Sequence, residues 1–441
     1  MSLAVVILAA GKGTRMKSAL PKVLHAVAGK PMVQHVVDAA ASLNPANIVI
    51  VYGHGGEQVK ATVTGEQAWA EQAEQLGTGH AVAQAAGKLD RNFFCLNGDT
   101  LVTTETLRAL ASAKSAHAMA VAQVADCSSY GLVKTRKGKL ASIIEKGAEG
   151  PGKINAGIYR FAPSIFEALE ALERSPRGEF ELTTALEAVA KQVAVVDVEG
   201  DWLDLGRPWD LLTANALLLA RMEPSIKGTV EEGVVLEGAV HVAAGAIIKA
   251  GSRIEGPVWV GPGATVGPNA CIRGATMLGA GAKVGGASEV KNSILMDGAK
   301  APHHNYVGDS ILGRDCNLGS GTKVANLRHD GANVYAIIRG ERVDSGLRKL
   351  GVILGDDAIL GVFDQVKVVG HCGFALQVQP HEGGGEMLCD VVHAVGVPDR
   401  IGVVFEGREI QRGRGQGHRP RFLIPEYRQA FSRRAPALDD H

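Results

Sequence analysis

Aromatic side chains are scarce in this chain, only 5% of 441 residues, while glycine is abundant at 56. A single conventional core uses more rings and fewer glycines, so part of the chain is expected to be a repeat architecture. Excess charge is lacking too: Lys and Arg total 46, and Asp and Glu total 46. That balance removes the electrostatic argument for a nucleic-acid or membrane-surface partner. No apolar run approaches the length of a membrane-spanning helix. Cysteines 95, 127, 271, 316, 372 and 389 form no Cys-x-x-Cys pair. They read as reduced thiols of a cytoplasmic protein. Leu3 to Ala10 is apolar but lacks the basic flank of a secretion signal. The length itself allows two or three domains.

What is present in the second half is a period. Val230, Leu236, Val242, Ile248, Ile254, Val260, Val266, Ile272, Leu278, Val284, Val290 and Met296 follow at intervals of six. An α-helix cannot keep such a period on one face, and a flat strand repeats every two residues. A coil of three short faces can, with one aliphatic side chain turned inward per face. The hexads therefore predict a parallel β-helix. Their phase slips after Pro302 and resumes at Leu312, Leu318 and Val324, then at Leu354, Leu360, Val366, Cys372 and Val378. Between these runs, residues 326–351 form a polar insertion, expected to be functional or to touch a neighbouring subunit.

The first half alternates strand and helix patterns. Strands are expected at Val5–Ala10, Ile48–Tyr52, Phe93–Leu96, Met119–Val124, Ile158–Phe161 and Val193–Val198, and helices at Val33–Leu43 and Gly79–Ala86. This pattern predicts a doubly wound, Rossmann-like α/β sheet with its ligand beyond the strands' carboxyl ends. Domains are expected at 1–226, 227–382 and 383–441, the last a basic tail whose arginines run from 408 to 434.

Leu8, Ala9 and Ala10 lead directly into Gly11 and Gly13, with Arg15 and Lys22 close behind. Glycines leaving a buried strand, followed by two cations, form a cradle for a polyphosphate. The spacing is neither that of a Walker loop nor that of a dinucleotide fold. Asp99 follows the strand at Phe93, and Asp204 follows Trp202-Leu203. Two carboxylates at one crevice suit Mg²⁺ completed by nucleotide phosphates. Singly, Asp99 also reads as a turn residue and Asp204 as a helix N-cap before Pro208.

The string from Leu8 to Lys22, with Ala28-Gly29-Lys30-Pro31-Met32 after it, resembles the signature of sugar-1-phosphate nucleotidyltransferases. Among these it is most similar to bifunctional N-acetylglucosamine-1-phosphate uridyltransferases that are also glucosamine-1-phosphate N-acetyltransferases. That resemblance implies a nucleotidyltransferase domain followed by a left-handed β-helix, in a homotrimer. Gln72, Gly77 and Thr78 would then bind the base of UTP, and Gly131, Glu145 and Asn155 would hold N-acetylglucosamine-1-phosphate. Arg15 and Lys22 would act on the phosphates. A sugar-phosphate oxygen would attack the α-phosphorus and expel pyrophosphate.

For the β-helix, the resemblance implies acetyl transfer from acetyl-CoA to a hexosamine-1-phosphate. His303 would be the base, Arg273 and Lys291 would grip the phosphate, and Tyr306 and Asn326 would orient the sugar, with Asn317 matching a further site position. Val334 stands where bacterial members carry a phosphate-binding lysine, and Leu327-Arg328 is an extension shared with archaeal relatives. Two other readings stand beside this one. One is a nucleotidyltransferase for another hexose phosphate, such as glucose-1-phosphate with UTP or dTTP, whose β-helix is structural. The other is a non-catalytic trimeric scaffold.

Overall fold

The computed structural model describes residues 3–362 except 14, 15, 17, 129, 146, 339 and 340, with the backbone of 365–366, 374–375 and 377–378. Arg15, Cys372 and the whole of 383–441 lie outside the described residues.

Nine strands of the first half form one sheet. Its order is Ala68–Glu71, Ile48–Tyr52, Ala4–Ala9, Phe93–Asn97, Gly152–Phe161, His117–Val124, Val193–Asp197, Lys139–Ile144 and Leu132–Arg136. The first four are mutually parallel, with Leu8 beside both Val51 and Asn97. Strand alternation sends Val6, Val49 and Val51 to one core, against Ala81, Val82 and Leu186. Val5, Ile7, Ile48 and Ile50 go to the opposite core, against Val33, Val36 and Val37. Helices cover both faces, the doubly wound arrangement. The Gly152–Phe161 strand runs antiparallel to all three strands it pairs with, which makes the sheet mixed.

From Ser225 onward the chain winds through three parallel sheets of eight, seven and seven strands. Each strand pairs with its equivalent one coil later, as Val235 with Arg253, Val240 with Val258 and Ile247 with Thr265. The middle aliphatics stack inward: Val242, Ile248, Ile254, Val260, Val266, Ile272, Leu278, Val284 and Val290 are all 0% exposed. Each such side chain contributes roughly 1.5–3 kcal/mol of burial, which explains a core with almost no rings.

The register corrects the expected phase. Arg273 pairs with Lys291 and Met277 with Ile294, so Asn292 and Ser293 turn a corner that three residues turn one coil earlier. Leu295, not Met296, therefore continues the inward line from Leu278, followed by Ala301 and Val307. A second short corner at Asp309–Ser310 brings in Leu312. The slip thus starts before Pro302, not after it. Both short corners need left-handed backbone, with φ of 46° at Asn292 and 49° at Asp309.

The insertion has structure of its own. Tyr335–Ile338 and Glu341–Asp344 form an antiparallel hairpin. Val334, Ala336 and Leu350 pack with Met277, Ile294 and Ile311 of the solenoid and with Trp209 and Leu211 of the first half. This part of the insertion thus covers its own chain. Beyond it the coils resume, Ile311 pairing with Ile353 and Asn317 with Ile359.

Candidate active sites

Because four strands are parallel and in register, the residues that follow them emerge at one edge. Gly11 and Gly13 follow Ala9, Gln72 follows Glu71, and Gly98 and Asp99 follow Asn97. Gly13 has φ +58°, and a Cβ there would lie 2.5 Å from Lys22 Cβ, so both conformation and space demand glycine. Among the described residues a Cβ on Gly11 would meet nothing within 4 Å, so they do not themselves require glycine there. Lys22 opens a short helical turn after Pro21, and its Nζ lies 2.5 Å from Asp99 Oδ2.

Asp204 is not a helix cap. It lies on a two-stranded ribbon with Leu203 paired to Leu101 and Asp204 to Thr100, while the Leu205 N–H donates to the Asp99 carbonyl. The nearby helix starts at Asp210. Asp99 and Asp204 are thereby brought to adjoining points of one ribbon. This oxygen-only pair suits a hard cation that takes its other ligands from water and phosphate. Among the described residues no group of three or more His, Cys, Asp or Glu could hold a metal by itself.

Asp204 borders a cleft of about 320 Å³, which Thr78, Gly131, Glu145 and Asn155 also line. The cleft owes its shape to a break in the Gly152–Phe161 strand. Asn155 pairs with Val121 and Tyr159 with Met119, so extra residues bulge between them. At the bulge Gly157 has φ +69°, and a Cβ there would lie 2.4 Å from Asn97 Nδ2. Asn155 is locked, its amide donating to Tyr159 Oη at 2.8 Å and its oxygen accepting the Gly157 N–H at 3.1 Å. Burial pushes the Tyr159 phenol well up from its ordinary value, so it stays protonated. Glu145 faces Arg177 at 3.4 Å, and Arg177 also binds Glu181 at 2.7 Å.

Gln72 is 3% exposed, and its amide donates to the Gly77 carbonyl at 3.0 Å. Gly77 has φ +106°, and a Cβ there would lie 2.6 Å from the Phe180 carbonyl, so only glycine fits. Thr78 starts the next helix, and its hydroxyl accepts the Leu182 N–H.

Sequence reading missed Arg177 and Glu181, which sit in a stretch without motif, and it missed the Thr100 hydroxyl. Thr100 is 2% exposed, lines the cleft, and its Oγ1 has no hydrogen-bond partner among the described residues.

On the solenoid, stacking of successive coils gathers a second cluster. Arg273 pairs in register with Lys291, and Lys291 with Gly308. Arg273 is bound to Glu289 at 2.6 Å. Lys291 Nζ reaches both oxygens of Asp309, at 3.0 and 3.1 Å. Asp309 also accepts from the Asn292 amide at 2.7 Å and from Asn326. A Cβ on Gly308 would lie 2.5 Å from Asn326 Nδ2 and 2.9 Å from Tyr306 Oη, so those two side chains converge there. His303 is exposed at the end of the Lys300–His303 strand, one corner before Tyr306, and Asn317 pairs with Lys300 in the same sheet. Asp309 was not anticipated, because its role depends on the short corners that a strict hexad hides. Val334 is 0% exposed within the packed insertion, so the position of the expected lysine is a core position.

Residues 4–221 match the nucleotidyl transferase family, and residues 254–370 match the GMPPB C-terminal domain. The chain is 40% identical over 380 residues to a bifunctional protein GlmU of Methanocaldococcus jannaschii, covering 83% of this chain and 92% of that one. It is 40% identical over 443 residues to a bifunctional protein GlmU of Alcanivorax borkumensis, covering 85% and 96%. A bifunctional sugar-1-phosphate nucleotidylyltransferase/acetyltransferase of Sulfurisphaera tokodaii is 34% identical, covering 81% and 90%. Among the described residues no helix is long and apolar enough to cross a membrane. At this identity and coverage, the chain belongs to the family of bifunctional GlmU proteins.

Proposed function

We propose that the cleft of the first half transfers a nucleotidyl group from UTP to N-acetylglucosamine-1-phosphate, releasing pyrophosphate. The juxtaposition of Lys22, Asp99 and Asp204 beside the cleft carries this reading. Asp99 and Asp204 would hold Mg²⁺, which when bound supplies charge neutralisation at the phosphate oxygens. Lys22 neutralises developing charge from a fixed position, and the open approach above Gly11 admits phosphate to the backbone. Gln72, Gly77 and Thr78 bind the base. Gly131, Glu145 and Asn155 hold the sugar, and the locked Asn155 amide sets its orientation. Arg15 joins Lys22 on the phosphates by sequence position alone.

The second reading concerns the solenoid, taken as a left-handed β-helix that assembles into a cytoplasmic homotrimer. There His303 serves as base while the Arg273, Lys291, Tyr306 and Asn326 cluster holds glucosamine-1-phosphate for acetylation by acetyl-CoA, with Asn317 alongside. The domains are taken as 1–226 and 227–382, followed by the basic tail. The likeness to the bifunctional sugar-1-phosphate nucleotidylyltransferase/acetyltransferase of Sulfurisphaera tokodaii supports both activities.

Both readings meet in one assay series. With Mg²⁺, UTP and N-acetylglucosamine-1-phosphate, the protein should release pyrophosphate, and Asp204→Asn should lower the rate roughly 10²–10³-fold without changing the melting transition. With acetyl-CoA and glucosamine-1-phosphate it should release thiol, and His303→Ala should abolish that release alone. Absent pyrophosphate defeats the first reading, and absent thiol defeats the second.

A further inference from the structure

The signature loop does not stand alone. Ser18 Oγ donates to Asp356 Oδ2 of the solenoid at 3.3 Å, and the same hydroxyl accepts the Leu20 N–H at 3.1 Å. Asp356 is itself immobilised on the preceding coil. It accepts the backbone N–H of Arg314 at 2.9 Å and the guanidinium at 2.8 and 3.2 Å. Burial works against the Asp356 charge, but the Arg314 bonds outweigh it and hold the carboxyl below its ordinary range. The anion that meets Ser18 is therefore fixed in place and ionised.

On the other side of Lys22, His25 is 6% exposed and its Nδ1 lies 3.1 Å from the Lys22 carbonyl. A carbonyl only accepts, so Nδ1 carries the proton. The ring borders a small cavity shared with Met296, Ile311, Ile353 and Asp356 of the solenoid. Further along, the Gly29 N–H points to Met277 Sδ at 3.2 Å, and a Cβ on Gly29 would lie 2.2 Å from the Trp259 ring. Asn215 bridges the halves, accepting the Ala28 N–H at 2.9 Å and donating to the Ala275 carbonyl at 2.8 Å. From Ser18 to Gly29 the loop leans on the outer face of the solenoid.

We propose that Asp356, a solenoid residue remote in sequence, is a positioning residue for nucleotidyl transfer, setting through Ser18 the path of the loop that presents Lys22 to Asp99. The inference rests on the reading of the first cleft. Its physical basis is that residues 18–21 have no helix or strand to hold them, so their geometry comes from what they touch. A shift of about 1 Å in a group that contacts a reacting phosphate costs on the order of 10²-fold in rate. Asp356 touches no substrate and acts only through the loop.

Asp356→Ala removes the acceptor together with the Arg314 bonds, and Ser18→Ala cuts the same link from the loop side while leaving Arg314 paired. In both variants the amides of Ser18–His25 should exchange faster with solvent. The kcat/KM for UTP should fall roughly 10- to 100-fold in both, with the KM for the sugar phosphate unchanged and, in Ser18→Ala, the melting transition unchanged as well. Exchange and kcat/KM equal to wild type in both variants would overturn the proposal. So would a rate loss that merely tracks a lowered melting transition, because that marks a structural role alone. Wild-type protein that releases no pyrophosphate refutes the reading of the cleft instead, and the amide exchange still tests the strut without turnover.

Discussion

The two candidate sites are assembled in opposite ways. In the first half, segments drawn from distant parts of the chain, among them the end of the Phe93–Asn97 strand, the bulged Gly152–Phe161 strand and the ribbon at Asp204, line a cleft of about 320 Å³. In the solenoid, residues one coil apart stack by register, and their charges are matched within the chain: Arg273 with Glu289, Lys291 with Asp309. A sheet edge delivers groups around a space. A solenoid delivers groups onto one another, and a ligand there must share or displace an existing partner. The cleft instead keeps the Thr100 hydroxyl without one.

The sharpest way to break this contrast is at Asp309, whose side chain is 4% exposed against 20% for Lys291. Asp309→Ala leaves an ammonium and two amides without their acceptor in a largely dry corner. We expect a loss of about 3 kcal/mol in urea unfolding, together with loss of thiol release, while pyrophosphate release persists. A change below about 0.5 kcal/mol would show that the solenoid cluster is solvated like a surface pair, and the contrast would fail.

This cluster also marks how far the sequence can be read. Glycines before Lys22, strands ending at Tyr52 and Asn97, and aliphatic hexads from Val230 to Val290 are local patterns, and local patterns survive in a one-dimensional string. Asp309 is not local. It gains its role because two corners each lack one residue, and a six-residue template runs past the first of them to Met296, which packs with the first half instead. Arg177 was illegible because Glu145, distant in sequence, is brought to it only by the fold. The insertion reads as polar because its charges outnumber Val334, Ala336 and Leu350, yet these few side chains pack it against its own chain.

The seam between the two regions gives a smaller, pH-dependent effect. Burial lowers the pKa of His25 from 6.5; among nearby groups, the Lys22 and Pro21 carbonyls and Asp356 raise it and Arg314 lowers it further. Between the folded and unfolded values, the unfolded chain binds the proton and the folded chain does not. Stability is therefore full above the unfolded value and declines as pH falls below it, by up to about 1.4 kcal/mol per pH unit. His35, His117 and His241 are shifted in the same direction, so His25→Gln should reduce the pH dependence without removing it. Urea midpoints at about pH 7.5 and about pH 5.5 would show this as a smaller difference in the variant than in wild type. Equal differences would mean that His25 is solvated and that the seam is not closed around it.

The smallest effect has the opposite sign and tests the cleft. Thr100→Val keeps the branched shape and its χ1 preference on a strand. Among the described residues nothing bonds the hydroxyl, while in the unfolded chain water does, so folding strips a polar group without recompense. The variant should gain about 1 kcal/mol in urea unfolding. Its kcat/KM for the sugar phosphate should fall roughly tenfold, the value of one hydrogen bond formed only with ligand. Thr100 sits opposite Asp204 on the ribbon, and a Cβ on Gly157 would lie 3.8 Å from its Oγ1, so the hydroxyl lies close to both the ribbon and the Gly157 bulge. Stability gained with turnover lost means that the cleft holds its orphan group for a substrate. Stability gained with turnover unchanged reduces Thr100 to a packing imperfection, and the cleft then differs from the solenoid in shape but not in bonding.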